Sequence, residues 1–193
     1  MDLKGSKTEK NLLAAFAGES QARMRYTFFA SAARKEGFEQ IGGLFEETSD
    51  NEKEHAKVFF NHLKPSNGRM VEIDAKYPAG VISDTSSNLL EAANGERLEW
   101  STLYPDFEKV ARAEGFKDIA DSFKQIAEVE DQHEKRYRKL LTNVKNHTVF
   151  KRERAVKWHC RNCGYVHTGK TAPKICPACK HPQSFYELLC ENY

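Results

Sequence analysis

One pattern, written twice at a spacing of 78 residues, constrains this chain more than any other feature. The first copy reads Ala33-Arg34-Lys35-Glu36-Gly37-Phe38 and runs on to Glu52-Lys53-Glu54-His55. The second reads Ala111-Arg112-Ala113-Glu114-Gly115-Phe116 and runs on to Glu130-Asp131-Gln132-His133. Ile41 and Phe45 recur at the same offset as Ile119 and Phe123. Upstream, Ala17-Gly18-Glu19 matches Asn94-Gly95-Glu96 at an offset of 77, so one residue has been added between Glu96 and Ala111, close to Pro105. Glu99 has no counterpart, because Ala22 stands at the matching place. The chain reads as two helix pairs, each supplying a lone Glu and then a Glu-x-x-His, which is how a helical bundle builds a two-metal carboxylate site.

Local signals set the helix limits. Ser6-x-x-Glu9 is a candidate capping box for a helix running to Lys35, with Leu12, Phe16, Tyr26 and Ala30 on its apolar stripe and Gly37 as its stop. A second helix is expected from Glu39 to Leu63, ahead of Pro65. The segment from Pro65 to Ser87 is too long for a tight turn and suits a crossover connection. Third and fourth helices are expected over Asn88–Ala113 and Lys117–Val144. Near His147 the pattern changes to short apolar runs with Gly, Pro and Cys. Two domains are therefore expected: residues 1–147, an all-α four-helix bundle with a long crossover, and residues 148–193, a small β ribbon.

Helical spacing turns the chemistry inward. In the second helix the i, i+3/i+4 stripe is Ile41, Phe45, Thr48, Glu52, His55, Phe59 and His62. In the fourth it is Ile119, Phe123, Ile126, Glu130, His133, Tyr137 and Leu140. Glu19 lies between Phe16 and Tyr26, and Glu96 and Glu99 lie between Ala92 and Leu103. Five carboxylates and two imidazoles thus face one interior. Unpaired buried carboxylates cost several kcal/mol each, a cost that two bound cations would remove. Carboxylate with one imidazole per metal is a hard donor set, suited to iron or manganese. Glu46, Glu47, Glu54 and Glu134 fall off the stripes and are expected on a solvated face. His62 lacks partners at ligand spacing and reads as a core or rim histidine.

The ribbon carries Cys160-Arg161-Asn162-Cys163 and Cys176-Pro177-Ala178-Cys179, two C-x-x-C units separated by twelve residues. This is a four-thiolate metal signal, and zinc and iron both accept it. Cys190 lies outside both units and reads as an ordinary small apolar residue.

Composition closes off other classes. Charged residues make up 30% of the 193 and nearly cancel, to +2, so neither nucleic acid nor an anionic membrane is an expected partner. No apolar run is long enough to span a bilayer, the first residues have no apolar leader core, and the cysteine pairs suit a reducing compartment. A cytoplasmic location is expected.

The motifs together resemble the rubrerythrin family over essentially the whole chain. They are Ala17-Gly18-Glu19-Ser20-Gln21-Ala22-Arg23, Glu52-x-x-His55, Gly95-Glu96-x-x-Glu99, Glu130-x-x-His133-Glu134-Lys135-Arg136 and Cys160-Arg161-Asn162-Cys163-Gly164-Tyr165-Val166-His167. Gly-Tyr after the first cysteine pair, Pro-Ala inside the second, and the aromatics Trp158, Tyr165 and Phe185 resemble rubredoxin. The resemblance implies a ferritin-like four-helix bundle with a rubredoxin-like domain, two non-haem irons in the bundle and one iron on Cys160, Cys163, Cys176 and Cys179. It implies reduction of hydrogen peroxide to water, protecting the cell against oxidative stress. Electrons would come from NADH through a separate reductase or a rubredoxin.

By the same resemblance Glu52 and Glu130 bridge the irons, Glu19 and His55 serve one, and Glu96 and His133 serve the other. Glu99 trades places with His55 as the oxidation state changes, and Tyr26 and Tyr104 hydrogen-bond ligand carboxylates. Glu130 to Val144 spans about 21 Å of helix, long for electron transfer, so a homodimer or larger even assembly is expected to bring one chain's ribbon to another's di-iron site. Two rival readings remain from the residues: a ferroxidase or iron-storage protein, against which the appended ribbon argues, and a structural bundle carrying a zinc ribbon.

Overall fold

A computed structural model describes residues 2–192; Met1 and Tyr193, the outermost residues of the two expected domains, lie outside the described part. Helix α1 runs Lys7–Lys35 and α2 Glu39–His62, followed by a short 3-10 turn at Lys64–Ser66. After the crossover come α3 at Thr85–Leu98, a π-helical turn at Glu99–Leu103, α4 at Tyr104–Ala113 and α5 at Lys117–Lys145. The expected third helix is thus two α-helices joined through a π turn, and it starts three residues earlier than Asn88, because Asp84 accepts a hydrogen bond from the Ser87 N–H and caps it.

The π turn is where the repeat gains its extra residue. The Tyr104 N–H donates to the Glu99 carbonyl, five residues back. Pro105, one residue later, has no N–H to offer and its ring would crowd the carbonyl four residues earlier in a regular α-helix; the wider turn removes both problems. It also absorbs the 100° rotation that one inserted residue would impose. Glu96 before the turn and Tyr104 after it therefore both face inward, as Glu19 and Tyr26 do in the uninterrupted α1.

The duplicated Glu-Gly-Phe segments perform a task the sequence reading did not assign them. Gly37 and Gly115 take the left-handed conformation, with φ of +84° and +82°, and end α1 and α4. The preceding glutamates then cap the opposite hairpin. Glu114 accepts from the Lys7 and Thr8 N–H groups at the start of α1, and Glu36 accepts from the Thr85 N–H at the start of α3. Each carboxylate meets the positive end of a helix dipole. The pseudo-symmetry of the two hairpins is thereby fixed at their ends as well as at their centre.

The α1–α2 and α3/α4–α5 hairpins bury two aromatic layers. Tyr26, Phe29, Phe45 and Tyr137 form one, and Phe59, Tyr104, Phe107 and Phe123 the other. Phe45 maps onto Phe123, Tyr26 onto Tyr104 and Phe59 onto Tyr137 at the repeat offset. Between these layers lies the polar slab described below.

Half of the expected capping box forms, because the Ser6 N–H donates to the Leu3 carbonyl and not to Glu9. Ser6 accepts from the Glu9 N–H, while the buried Glu9 carboxylate takes hydrogen bonds from the Gly5 N–H, the Ser66 hydroxyl and Arg69, tying the start of the crossover to α1. The Arg69 hydrogen bond, with those of Ser66 and Gly5, outweighs burial and holds the Glu9 carboxyl down at about 2. A depressed carboxyl stabilises the fold above its unfolded pKa of about 4.3 and loses that contribution as pH falls toward 2. Glu9→Gln is therefore expected to cost about 1–3 kcal/mol at pH 7, allowing for screening at the half-exposed guanidinium. Urea melts of iron-free protein should show that gap shrinking between pH 5 and pH 2.

The ribbon is a three-stranded antiparallel sheet in the order β2-β1-β3, with β1 at Lys151–Cys160, β2 at Val166–Thr171 and β3 at Tyr186–Leu188. It leans on the bundle near the start of α2. Phe150 stacks on Phe38 with centroids 6.2 Å apart. The Arg161 guanidinium lies so close to Gly43 that a methyl group there would sit 2.7 Å from Nη2. Among the described residues no helix is long and apolar enough to cross a membrane.

Candidate metal centres

Two groups of ligand atoms lie in the slab between the aromatic layers. Glu19, Glu52, His55 and Glu130 offer atoms within 4.8 Å of one another, and so do Glu52, Glu96, Glu130 and His133. Glu52 and Glu130 belong to both. His55 Nδ1 stands 2.8 Å from Glu52 Oε2 and 2.9 Å from Glu130 Oε1. His133 Nδ1 stands 2.7 Å from Glu130 Oε2 and 3.2 Å from Glu52 Oε1. The outer carboxylates are held crosswise between hairpins: Tyr26 on α1 donates to Glu96 at 2.6 Å, and Tyr104 on α4 donates to Glu19.

Each tyrosine occupies one carboxylate oxygen and leaves the other free. Glu19 Oε2 and Glu96 Oε2 are sealed from solvent with no hydrogen-bond partner. Orphaned buried carboxylate oxygens aimed at a shared space are what a pair of cations requires. Charges respond accordingly. Burial pushes Glu19 and Glu99 well up and raises Glu96 to about 8. For Glu52 burial is outweighed by the His133 and His55 imidazoles, which bring it to about 2; for the histidines burial is outweighed by the Glu130 and Glu52 carboxylates, which raise His55 to about 10 and His133 to about 12.

Glu99 stands apart from both ligand groups. It is the first residue of the π turn, and its carboxylate faces Gly18, where an added Cβ would lie 3.9 Å from Oε1. Two neighbours of the site were not anticipated. Glu134, expected on a solvated face, is buried: it accepts from the Trp100 indole N–H at 2.6 Å and from Arg138 at 2.5 Å. Trp100 sits in the π turn, so this bond pins the turn to α5. Helical periodicity places Glu134 outward, and only the position of Trp100, set by the inserted residue, covers it. Glu46, Glu47 and Glu54 are exposed as expected, and His62 bonds Ser122 at the bundle rim.

In the ribbon, the sulfurs of Cys160 and Cys179 are 3.8 Å apart and those of Cys163 and Cys176 are 3.7 Å apart. A tetrahedron with metal–sulfur bonds of about 2.3 Å has edges near 3.8 Å. Gly164 and Lys180, each four residues after the first cysteine of its knuckle, take φ of +80° and +64°, closing both knuckles the same way. The His181 backbone N–H holds Cys179 down at about 5, stabilising a thiolate. Trp158 and Tyr186 are fully buried against the cluster, with Tyr165 and Phe185 beside them. Tyr186 was not singled out from sequence. Cys190 is exposed and takes no part.

The rubrerythrin family model matches residues 10–141, and the model described as rubrerythrin, rubredoxin-like domain matches residues 158–187. The chain belongs to the rubrerythrin family. It is 59% identical to rubrerythrin of Porphyromonas gingivalis, over 99% of this chain and 94% of that one. It is 53% identical to rubrerythrin of Nitratidesulfovibrio vulgaris, over 99% and 98%. Fully reduced, all-ferrous nigerythrin superposes with a TM-score of 0.65 at 30% identity, covering 97% of this chain and 91% of that chain. Rubrerythrins are iron-binding oxidoreductases, and the ferritin-like and rubredoxin-like parts are both present here. The Glu/His groups fit a di-iron site and the four cysteines fit a rubredoxin-type iron site.

Proposed function

We propose that this chain is a peroxidase that reduces hydrogen peroxide to water at a di-iron site, with electrons passed through the four-cysteine iron. One observation carries the reading: Glu52 and Glu130 belong to both ligand groups, so two cations would sit side by side. Glu52 and Glu130 would bridge them, Glu19 and His55 would complete one, and Glu96 and His133 the other. With iron bound, these residues would hold a pair that could supply both electrons for one peroxide, which with two protons gives two waters and no free radical.

The chain's own part is placement. Tyr26 and Tyr104 fix the outer carboxylates, the two aromatic layers keep bulk water out, and the Trp100–Glu134 bond holds the π turn that presents Glu99. With iron bound, the cysteine cluster would be a one-electron carrier and would reload the site in two steps. Its knuckle meets α2 at Gly43, nine residues before Glu52 and about 14 Å of helix away. A homodimer or larger even assembly would offer a second, interchain route. The donor would be an NADH-linked reductase or a rubredoxin, and the free thiols favour the cytoplasm.

Anaerobically purified protein is expected to hold three irons per chain, two in the bundle and one red ferric tetrathiolate, and to consume peroxide faster than oxygen. Zinc in the ribbon, or preferential oxygen consumption with growth of a ferric core, would instead support the zinc-ribbon or iron-storage reading.

Glu99→Ala tests the switching role. A carboxylate favours the ferric and His55 the ferrous state, so exchange between them would stabilise each in turn. The variant is expected to keep its fold and both bundle irons but to lose at least tenfold in peroxide rate, becoming relatively more reactive toward oxygen. Unchanged rates with both oxidants, at confirmed iron content, would remove Glu99 from the mechanism.

A further inference from the structure

A cavity of about 650 Å³ lies between α1, the α3–α4 segment and the crossover, and its inner wall includes Glu99 and Tyr104. Hydrogen peroxide does not need this volume. A water molecule's share of liquid is about 30 Å³, and cavities of about 300–1,000 Å³ hold organic ligands. The walls are apolar, built from Ala14, Ile73, Leu98, Leu103 and Phe107. The crossover forms the roof and is tied down where the Tyr77 hydroxyl donates to the Ala14 carbonyl at 2.9 Å. Gly18, next to Glu19, lines the cavity with the Tyr77 ring and the Glu99 carboxylate, which lie 3.8 and 3.9 Å from where an added Cβ would stand.

The rim has the opposite chemistry. The exposed Lys7, Lys10 and Lys76 line it, with Asp74 the one acid besides Glu99, while Arg25 lines it beyond Gly18, where its charge acts on Glu99. Lys10 precedes Gly18 by eight residues on α1, about 12 Å of helix. A molecule filling this space would carry an anionic head at the lysines, an apolar body along the walls and its reactive group at Gly18. We infer that the cavity is a substrate site for fatty-acid hydroperoxides: fatty acids bearing a mid-chain O–O–H group and a free carboxylate. The inference rests on the peroxidase reading above and adds the substrate class.

The reaction is the same two-electron reduction. The O–O bond would break with two electrons supplied by the reduced metal pair, when bound, and two protons from solvent, giving one hydroxy fatty acid and one water. The apolar body would be held by burial at about 25 cal/mol per Å² of apolar surface, while the lysines supply orientation and steering.

The test uses the iron-loaded full chain and two variants altered away from the metal ligands. Ile73→Trp fills the cavity from the roof, and Lys10→Glu with Lys76→Glu reverses the rim. Linoleate binding is measured by calorimetry, and kcat/KM is measured for linoleic acid hydroperoxide and for hydrogen peroxide. The parent is expected to bind linoleate and to reduce its hydroperoxide. Each variant should weaken linoleate binding and shift the ratio of the two kcat/KM values against the fatty-acid hydroperoxide, both by at least tenfold. A parent that turns over hydrogen peroxide but neither binds linoleate nor reduces its hydroperoxide overturns the inference and leaves the peroxidase reading standing. Binding and ratio unmoved by both variants overturn it as well. A parent that reduces neither peroxide overturns both.

Discussion

Glu52→Gln is expected to strip both metals from the bundle at once. The carboxylate is shared by the two ligand groups, with oxygens 2.8 Å from His55 Nδ1 and 3.2 Å from His133 Nδ1. Glutamine has nearly the same shape, but one of its two bridging atoms becomes an NH₂ that donates and cannot ligate. A bridge needs both oxygens, so loss should spread to the pair rather than to one iron. Glu96 belongs to one group, and Glu96→Gln should mainly affect the iron served by His133. Peroxide turnover in the Glu52 variant should fall at least a thousandfold, a change of about 4 kcal/mol in barrier. Iron assay should give about one atom per chain, with the four-cysteine spectrum intact and the helical circular dichroism kept. Two bundle irons in that variant would refute the bridging role.

Cys176→Ser should separate the two centres. Cys176 is buried among Trp158, Cys160 and Tyr186, with its sulfur 3.7 Å from that of Cys163. A hydroxyl is smaller, harder and far less acidic than a thiol, so the tetrahedral set loses one of its soft anionic ligands. The red colour should disappear, and donor-linked turnover should fall at least a hundredfold. The bundle's ligands all precede Lys145, and the contacts between ribbon and bundle lie near Phe38 and Gly43, away from them. Chemically reduced variant should therefore still consume one equivalent of peroxide in a single turnover. If that turnover vanished too, the division of labour between bundle and ribbon would be wrong.

Much of the site was legible because it obeys periodicities the chain states openly. Glu-x-x-His on two apolar stripes places four side chains on one face wherever those helices pack. Two C-x-x-C units need only short turns to close a tetrahedron. The glutamates at 36 and 114 carried a signal that went unused: they recur in register beside the glycines that end α1 and α4, and a carboxylate there can reach the start of the opposite hairpin. The shift of the repeat offset from 77 to 78 announced an insertion, and the structure turned it into the π turn at Glu99–Leu103.

Sequence alone determined the repeat, the inward-facing ligands, the thiolate cluster and the membership of the family, because these depend on spacings along one helix or one turn. Tertiary structure alone decided the rest. It set which tyrosine meets which carboxylate, since Tyr26 to Glu96 and Tyr104 to Glu19 cross between hairpins. It buried Glu134 under Trp100, against the helical pattern. It laid the crossover over α1 to roof a cavity that no local motif encodes. Spacing fixes what lies on one face of one element; contacts between elements follow from how those faces pack, and that depends on the whole chain at once.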